Sequence, residues 1–253
     1  MGKDAGRKSL FVFEEERAKE KRHQMIQKAV FVSIVMMLLG TFVQGQQSLV
    51  LSIKPLMGNG DLILGKTYIE ARGDTMSIEI LRFYLSNFIL YSKGKVVWQE
   101  KKSYHLVEGD DSAKRFVALQ IPLKIKYDSI GFELGVDSTA NVSGAMGGDL
   151  DPTKGMYWTW QNGYINSKIE GTCSSSTAVK RAFQLHLGGY ASPYRTDQRL
   201  MFHVSEGKSI QINMQLDQFF EQINWAAQNR IMSPSLDAVR LSEALAKTIQ
   251  VKQ

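Results

Sequence analysis

The stretch "MSIEILRFYLSNFILYSKG", Met76 to Gly94, constrains this chain more than any other. It is apolar at odd and even positions alike. A strand built from it presents two apolar faces and needs cover on both. Shorter runs surround it: "QSLVLSIKP", "DLILGKTYI", "KVVWQE", "RFVALQIPL", "DSIGFELGVD", "RAFQLHLGG", "QRLMFHV" and "SIQINMQL". Gly, Asn, Asp and Pro punctuate them, as between strands. In "RAFQLHL", Phe183, Leu185 and Leu187 share one face and Gln184 and His186 the other; Ile210, Ile212, Met214 and Leu216 align in the same way. Many short strands without intervening helices define a mainly β chain, folded as an antiparallel sandwich. At the C-terminus the period changes. "LDQFFEQIN" suits a short helix. "SPSLDAVRLSEALAKTIQ" suits a longer one, with Ser233 as N-cap, Pro234 in first helical position and an apolar stripe of Ala238, Leu241, Leu245 and Ile249.

The N-terminus reads as an export signal. A basic stretch ends at Lys28, an apolar run covers Ala29 to Leu39, and Val43 and Gly45 precede a cut before Gln46. The run is shorter than the ~20 residues that span a bilayer. Residues 1–24 are long and charged for such a leader, which makes Met25 the alternative start. The expected product is a periplasmic or secreted domain over residues 46–253, without a stable membrane anchor after cleavage. With 43% hydrophobic and 22% charged residues, that length suits one domain. The net charge of +6 carries no Lys/Arg run interleaved with aromatics, so nucleic acid is not an expected partner. Cys173 is the one cysteine, which excludes an internal disulfide and CxxC sites.

No GxSxG is present, no Gly-rich phosphate loop enters a helix, and no carboxylate pair stands out. The sequence therefore assigns no enzyme activity and no catalytic residue. Three histidines remain after leader removal: His105, His186 and His203. Strands distant in sequence can bring imidazoles together as ligands for copper, zinc or nickel. The plainer reading is a hydrogen-bonded histidine on each strand. "DLDPTKG" faintly echoes a calcium loop, but Trp160 stands where a closing Glu belongs. A tight turn opened by Asp151-Pro152 and closed by Gly155 is the favoured reading. In "MYWTWQNGY", a strand puts Met156, Trp158 and Trp160 on one face. The two indoles suit core, groove wall or a redox role.

"GGDLDPTKGMYWTWQNGYINSKIEG", "FQLHLGGY", "IMSPSLDAVRLSEALAK", "RFYLSNFILY" and "YHLVE" together resemble the MbnP-like family. These are exported copper-binding proteins named for a member associated with methanobactin clusters. The resemblance runs from about Leu49 to Ile249 and implies an immunoglobulin-like sandwich. It implies copper held by imidazoles, with His186 and His105 in matching positions and His203 as a stand-in. It also implies that Trp160 or Trp158 lies beside the metal and is oxidised to kynurenine by a di-haem, cytochrome c peroxidase-like partner. Copper-binding relatives often carry Asn-His before the Trp block; here Val142 follows Asn141. The alternative is a metal-free glycan- or peptide-binding module, with Trp158, Trp160, Tyr157 and Tyr164 lining a groove.

Overall fold

The long apolar stretch forms a strand that runs through the middle of everything else. In the computed structural model the strands are, in chain order, β1 (Gln46–Met57), β2 (Gly60–Asp61), β3 (Thr67–Ile69), β4 (Thr75–Ser92), β5 (Lys95–Gln99), β6 (Tyr104–Glu108), β7 (Phe116–Pro122) and β8 (Ser129–Leu134). They continue as β9 (Tyr157–Trp158), β10 (Gly163–Cys173), β11 (Ala182–Gly188), β12 (Gln198–His203), β13 (Ser209–Gln215), β14 (Arg230–Ile231) and β15 (Ile249–Lys252). Three α-helices interrupt them: α1 (Ser138–Val142), α2 (Leu216–Phe220) and α3 (Leu236–Lys247). The structure describes residues 45–252, together with Arg22, His23, Met25, Gln27 and Lys28. The expected leader, with its apolar run and its cut before Gln46, lies otherwise outside the described residues. The chain divides into two units, Met1–Gly45 and Gln46–Gln253.

β4 is long enough to carry several partners on each edge. One edge pairs with β10 and then β8; the other pairs with β3, β6 and β5. β12 extends the large sheet beyond β8, and β11 and β14 extend it beyond β10. A smaller sheet has the order β15-β13-β1-β2, with β7 also on β1. The inner face of the large sheet (Ile78, Leu81, Phe83, Leu85, Ile169, Leu185) and that of the small sheet (Leu49, Leu51, Leu119, Ile212) belong to one buried cluster. The fold is a mainly β sandwich.

Not every pairing is antiparallel. β1 with β13, and β11 with β14, run parallel. These partners lie far apart in sequence, and a parallel pair needs such a long connection. "DLILGKTYI" is not one strand: it yields β2, a turn with Gly65 at φ +74°, and β3. The C-terminal helix starts later than the spacing predicts. Ser235, not Ser233, caps it, its hydroxyl accepting from the Ala238 amide at 3.1 Å. Pro234 therefore precedes the cap. Ala238, Leu241 and Leu245 are buried as the stripe requires, while Ile249 has already entered β15.

The outer face of the large sheet is covered by loops rather than by a second sheet. Tyr84, Leu106, Val136, Leu150, Met156, Trp158 and Tyr164 form a separate buried cluster there. β4 thus buries both faces, as its composition demands.

Candidate functional site on the outer face of the large sheet

The tryptophan segment makes less strand than its alternation predicts. β9 stops at Trp158, which pairs with Gly163, while Tyr157 pairs with Tyr164. Thr159 to Asn162 form the turn, and Asn162 adopts φ +50°. Asn tolerates that left-handed conformation better than most residues, so the "QNG" chemistry ends the strand early. Trp160 consequently sits on the turn and is 65% exposed, whereas Trp158 is 6% exposed. The rings still meet, with centroids 5.9 Å apart and planes at 42°. The Trp158 indole N–H is buried without a hydrogen-bond partner.

Glycine at position 188 makes room for the inner indole. A Cβ there would lie 2.7 Å from Trp158 Cζ3 and 2.7 Å from the Tyr164 carbonyl oxygen. Gly188 follows His186 by two residues on β11, so Trp158 packs over the face to which His186 points.

Register then lines up a polar row across four strands: His186 beside Lys168, Lys168 beside Arg82, Arg82 beside Glu108. Arg82 pairs with Glu108 at 3.1 Å. His186 Nε2 lies 2.7 Å from Glu170 Oε1, and Lys168 lies 3.4 Å from the same oxygen. Burial holds the imidazole below its usual range, against the pull of Glu170, so His186 is neutral near pH 7. For Glu170, burial acts upward, but the hydrogen bond from His186 and the charge of Lys168 outweigh it and hold the carboxyl below its ordinary value. A carboxylate only accepts, so the proton sits on His186 Nε2 and leaves Nδ1 bearing the lone pair.

The "DLDPTKG" segment roofs this row as a turn, not a calcium loop. Asp151 accepts from the Thr153 amide and hydroxyl, and Gly155 closes the turn at φ +70°. Asp149 accepts from the Leu106 amide at 3.0 Å and from Lys154 at 2.6 Å, with Lys114 at 3.4 Å. Arg82 donates to the Lys154 carbonyl and Lys168 to the Gly155 carbonyl. Asn141, from α1, is a buried clamp. Its amide nitrogen donates to the Val136 and Asp137 carbonyls, and its oxygen accepts from the Tyr164 amide at 2.7 Å. Val142 beside it is exposed.

The three histidines do not converge. His105 pairs across β4 with Leu85, on the inner-face parity, and its ring lies 5.7 Å from Phe88. His186 shares the parity of Arg82 and Tyr84, on the outer face. The sheet itself separates the two imidazoles, so they do not form one site. His105 is bound to Glu100 at 3.0 Å. His203, at the end of β12, is in register with Ser129 and Tyr91, nine positions along β4 from the His186 row, or roughly 30 Å. Its ring is 3.2 Å from the Ser129 hydroxyl. Among the described residues, no group of three His, Cys, Asp or Glu donors placed to hold a metal includes a histidine. The donor set therefore does not fit copper held by paired imidazoles. The aromatic groove is also incomplete: Tyr164 is buried, and its hydroxyl donates to Leu150 while accepting from the Met146 amide.

Sequence reading did not single out Lys168, Glu170 or Arg82, and it noted Asn141 only as the residue that Val142 follows. The alternation in "INSKIEG" carries the first two, since Lys168 and Glu170 share one face of β10.

Two packed sheets, with an ionic row under loops and a pair of touching indoles on the outer side, define a β-sandwich protein with a built outer-face site. The chain belongs to the MbnP family, whose model matches residues 46–233. Among solved structures it is similar to MbnP from Methylosinus trichosporium, at 14% identity over 82% of this chain and 98% of that one, with a TM-score of 0.61. At that identity the likeness concerns the fold. No curated protein matches the chain.

Proposed function

We propose that the protein acts outside the cytoplasm as the electron-donating partner of a haem protein, through the Trp158–Trp160 pair. One observation carries this reading: an exposed indole in tilted contact with a buried one, on the sheet face that carries a neutral histidine fixed by a carboxylate. Trp160 is open to a docking surface. Trp158 lies in contact behind it, shielded from water, where a positive charge arriving from Trp160 meets the electron-rich face of a second ring. The leader-like N-terminus supports an extracytoplasmic place, and among the described residues no helix is long and apolar enough to cross a membrane.

The partner is of the di-haem class implied by the family resemblance, and oxidation of Trp to kynurenine is the modification that fits. Trp160 is the ring at which it occurs, because oxygen and water reach it. No step here runs through copper. His186 and His105 each have a carboxylate-oriented imidazole of the kind typical of a metal ligand. The two lie on opposite sides of the sheet and His203 is far along it, so no second imidazole stands beside His186.

Co-expression with a di-haem peroxidase-like protein, followed by mass spectrometry of the Gly155–Lys168 peptide, tests the reading. A mass change on Trp160 is expected, absent in Trp160→Phe. An unmodified peptide after co-expression with added peroxide would remove it. Copper measured on the same preparations is expected to be unaffected by His105→Ala.

A further inference from the structure

A second cluster lies at the Cys173 end of β10, away from the tryptophan turn at its Gly163 end. Glu70 leaves β3 and Asp74 enters β4. The turn between them is closed by the Glu70 amide donating to the Asp74 carbonyl at 2.9 Å and the Gly73 amide to the Glu70 carbonyl at 2.8 Å. Cys173, with a buried thiol, sits in register with Met76 just after that turn. One donor atom from each of Glu70, Asp74 and Cys173 lies within 4.8 Å of the other two.

The Glu70 side chain is 1% exposed. Its Oε1 accepts from Arg72 Nη2 at 2.9 Å, but its Oε2 is buried with no hydrogen-bond partner. The other Arg72 donations go to the Ile223 and Phe220 carbonyls, and none reaches Oε2. On Asp74, Oδ1 accepts from the Ser174 and Ser175 hydroxyls. An orphaned buried carboxylate oxygen facing a carboxylate and a thiol is costly unless something positive joins them.

We propose that Glu70, Asp74 and Cys173 form a divalent-cation site of the zinc class. The donor chemistry selects the metal. Thiolate with carboxylate oxygens suits zinc, whereas calcium and magnesium take oxygen ligands alone. Charge also closes: three ionised ligands are balanced by the dication and Arg72. Arg72, Asp74 and Ser175 line a depression of about 500 Å³, which gives a cation its entry and leaves room for water as fourth ligand. Burial pushes both the Glu70 carboxyl and the Cys173 thiol above their ordinary ranges. Metal binding therefore releases protons and weakens at low pH. The competing way to quiet the same oxygen is a proton shared between Glu70 and Asp74.

The test titrates the full chain, reduced, with Zn²⁺ and with Co²⁺ as a coloured stand-in. The proposal expects one tight equivalent, a near-ultraviolet thiolate-to-cobalt band, and a rise in Tm with Zn²⁺. Glu70→Gln keeps the Arg72 contact and is expected to weaken binding by about tenfold or more. Cys173→Ser is expected to lose the cobalt band. If Glu70→Gln does not fold by circular dichroism, Asp74→Asn at the surface carries the affinity test. Absence of both the band and the Tm rise, or unchanged affinity in a folded Glu70→Gln or Asp74→Asn, overturns the site and leaves the shared proton.

Discussion

The two faces of the large sheet bury comparable aromatic residues by different means. The inner face meets another sheet, and its contacts are almost purely apolar: Phe83, Phe183 and Leu185 sit in the shared core with Phe220 and Trp225. The outer face meets loops, and its cover is pinned by ionic and hydrogen bonds from Arg82, Asp149, Asn141 and Tyr164. A sheet-on-sheet interface leaves no room for a polar row. A loop-covered face must satisfy backbone groups that no sheet ladder satisfies, so it recruits charged and amide side chains. Those side chains are what make chemistry available on the outer face.

That difference can be broken most severely on the inner face. Phe183→Ala, in the core against Trp225, is expected to lose about 3–5 kcal/mol of stability, measured by denaturant unfolding. On the outer face the clamp comes next. Asn141→Ala strands the Tyr164 amide and the Val136 carbonyl, while the Asp137 carbonyl keeps the backbone amide of residue 141, and is expected to lose about 2–3 kcal/mol. Its loss should also loosen the tryptophan turn, seen as a red-shifted fluorescence. Gly188→Ala drives a methyl group into Trp158 and the Tyr164 carbonyl; a loss of about 1–3 kcal/mol is expected, again with altered tryptophan emission.

The histidines sharpen the comparison through pH. His186 is held neutral in the fold, with its affinity for protons below that of the unfolded chain. Below about pH 6.5 the unfolded state therefore binds more protons, and stability falls as pH falls. His186→Gln is expected to flatten that acid-side loss in thermal melts between pH 7 and pH 5. An unaltered pH slope would show that His186 is not held neutral. The smallest effect is expected at the turn: Trp160→Phe should change stability by less than about 0.5 kcal/mol, since the ring is largely exposed. A large destabilisation would mean that Trp160 is a packing residue rather than a contact surface.

Much of the architecture was legible residue by residue. "RFYLSNFILY" announced a strand needing cover on both faces, and β4 has it. Phe183, Leu185 and Leu187 fell on the inner face with His186 opposite, as their alternation required. The site was less legible. β10, which supplies Lys168 and Glu170, went unnoticed because "GYINSKIEGTC" mixes polar and apolar residues at positions buried on both faces. The strand through "MYWTWQ" was shortened by a left-handed Asn162 that alternation does not register. The expected pairing of His105 with His186 failed on parity, since register depends on which residue of β4 each partner strand meets.

The sequence by itself determined the strand-rich class, the MbnP resemblance, the inner-face pattern and the turn chemistry of "DLDPTKG". These are local properties, set by side-chain period and backbone preference. Only the tertiary structure decided that Trp160 faces solvent while Trp158 does not, that His105 and His186 lie on opposite sides of one sheet, and that Glu70, Asp74 and Cys173 meet. Those facts depend on pairing between strands distant in the chain, where a shift of one residue would send every side chain to the other face.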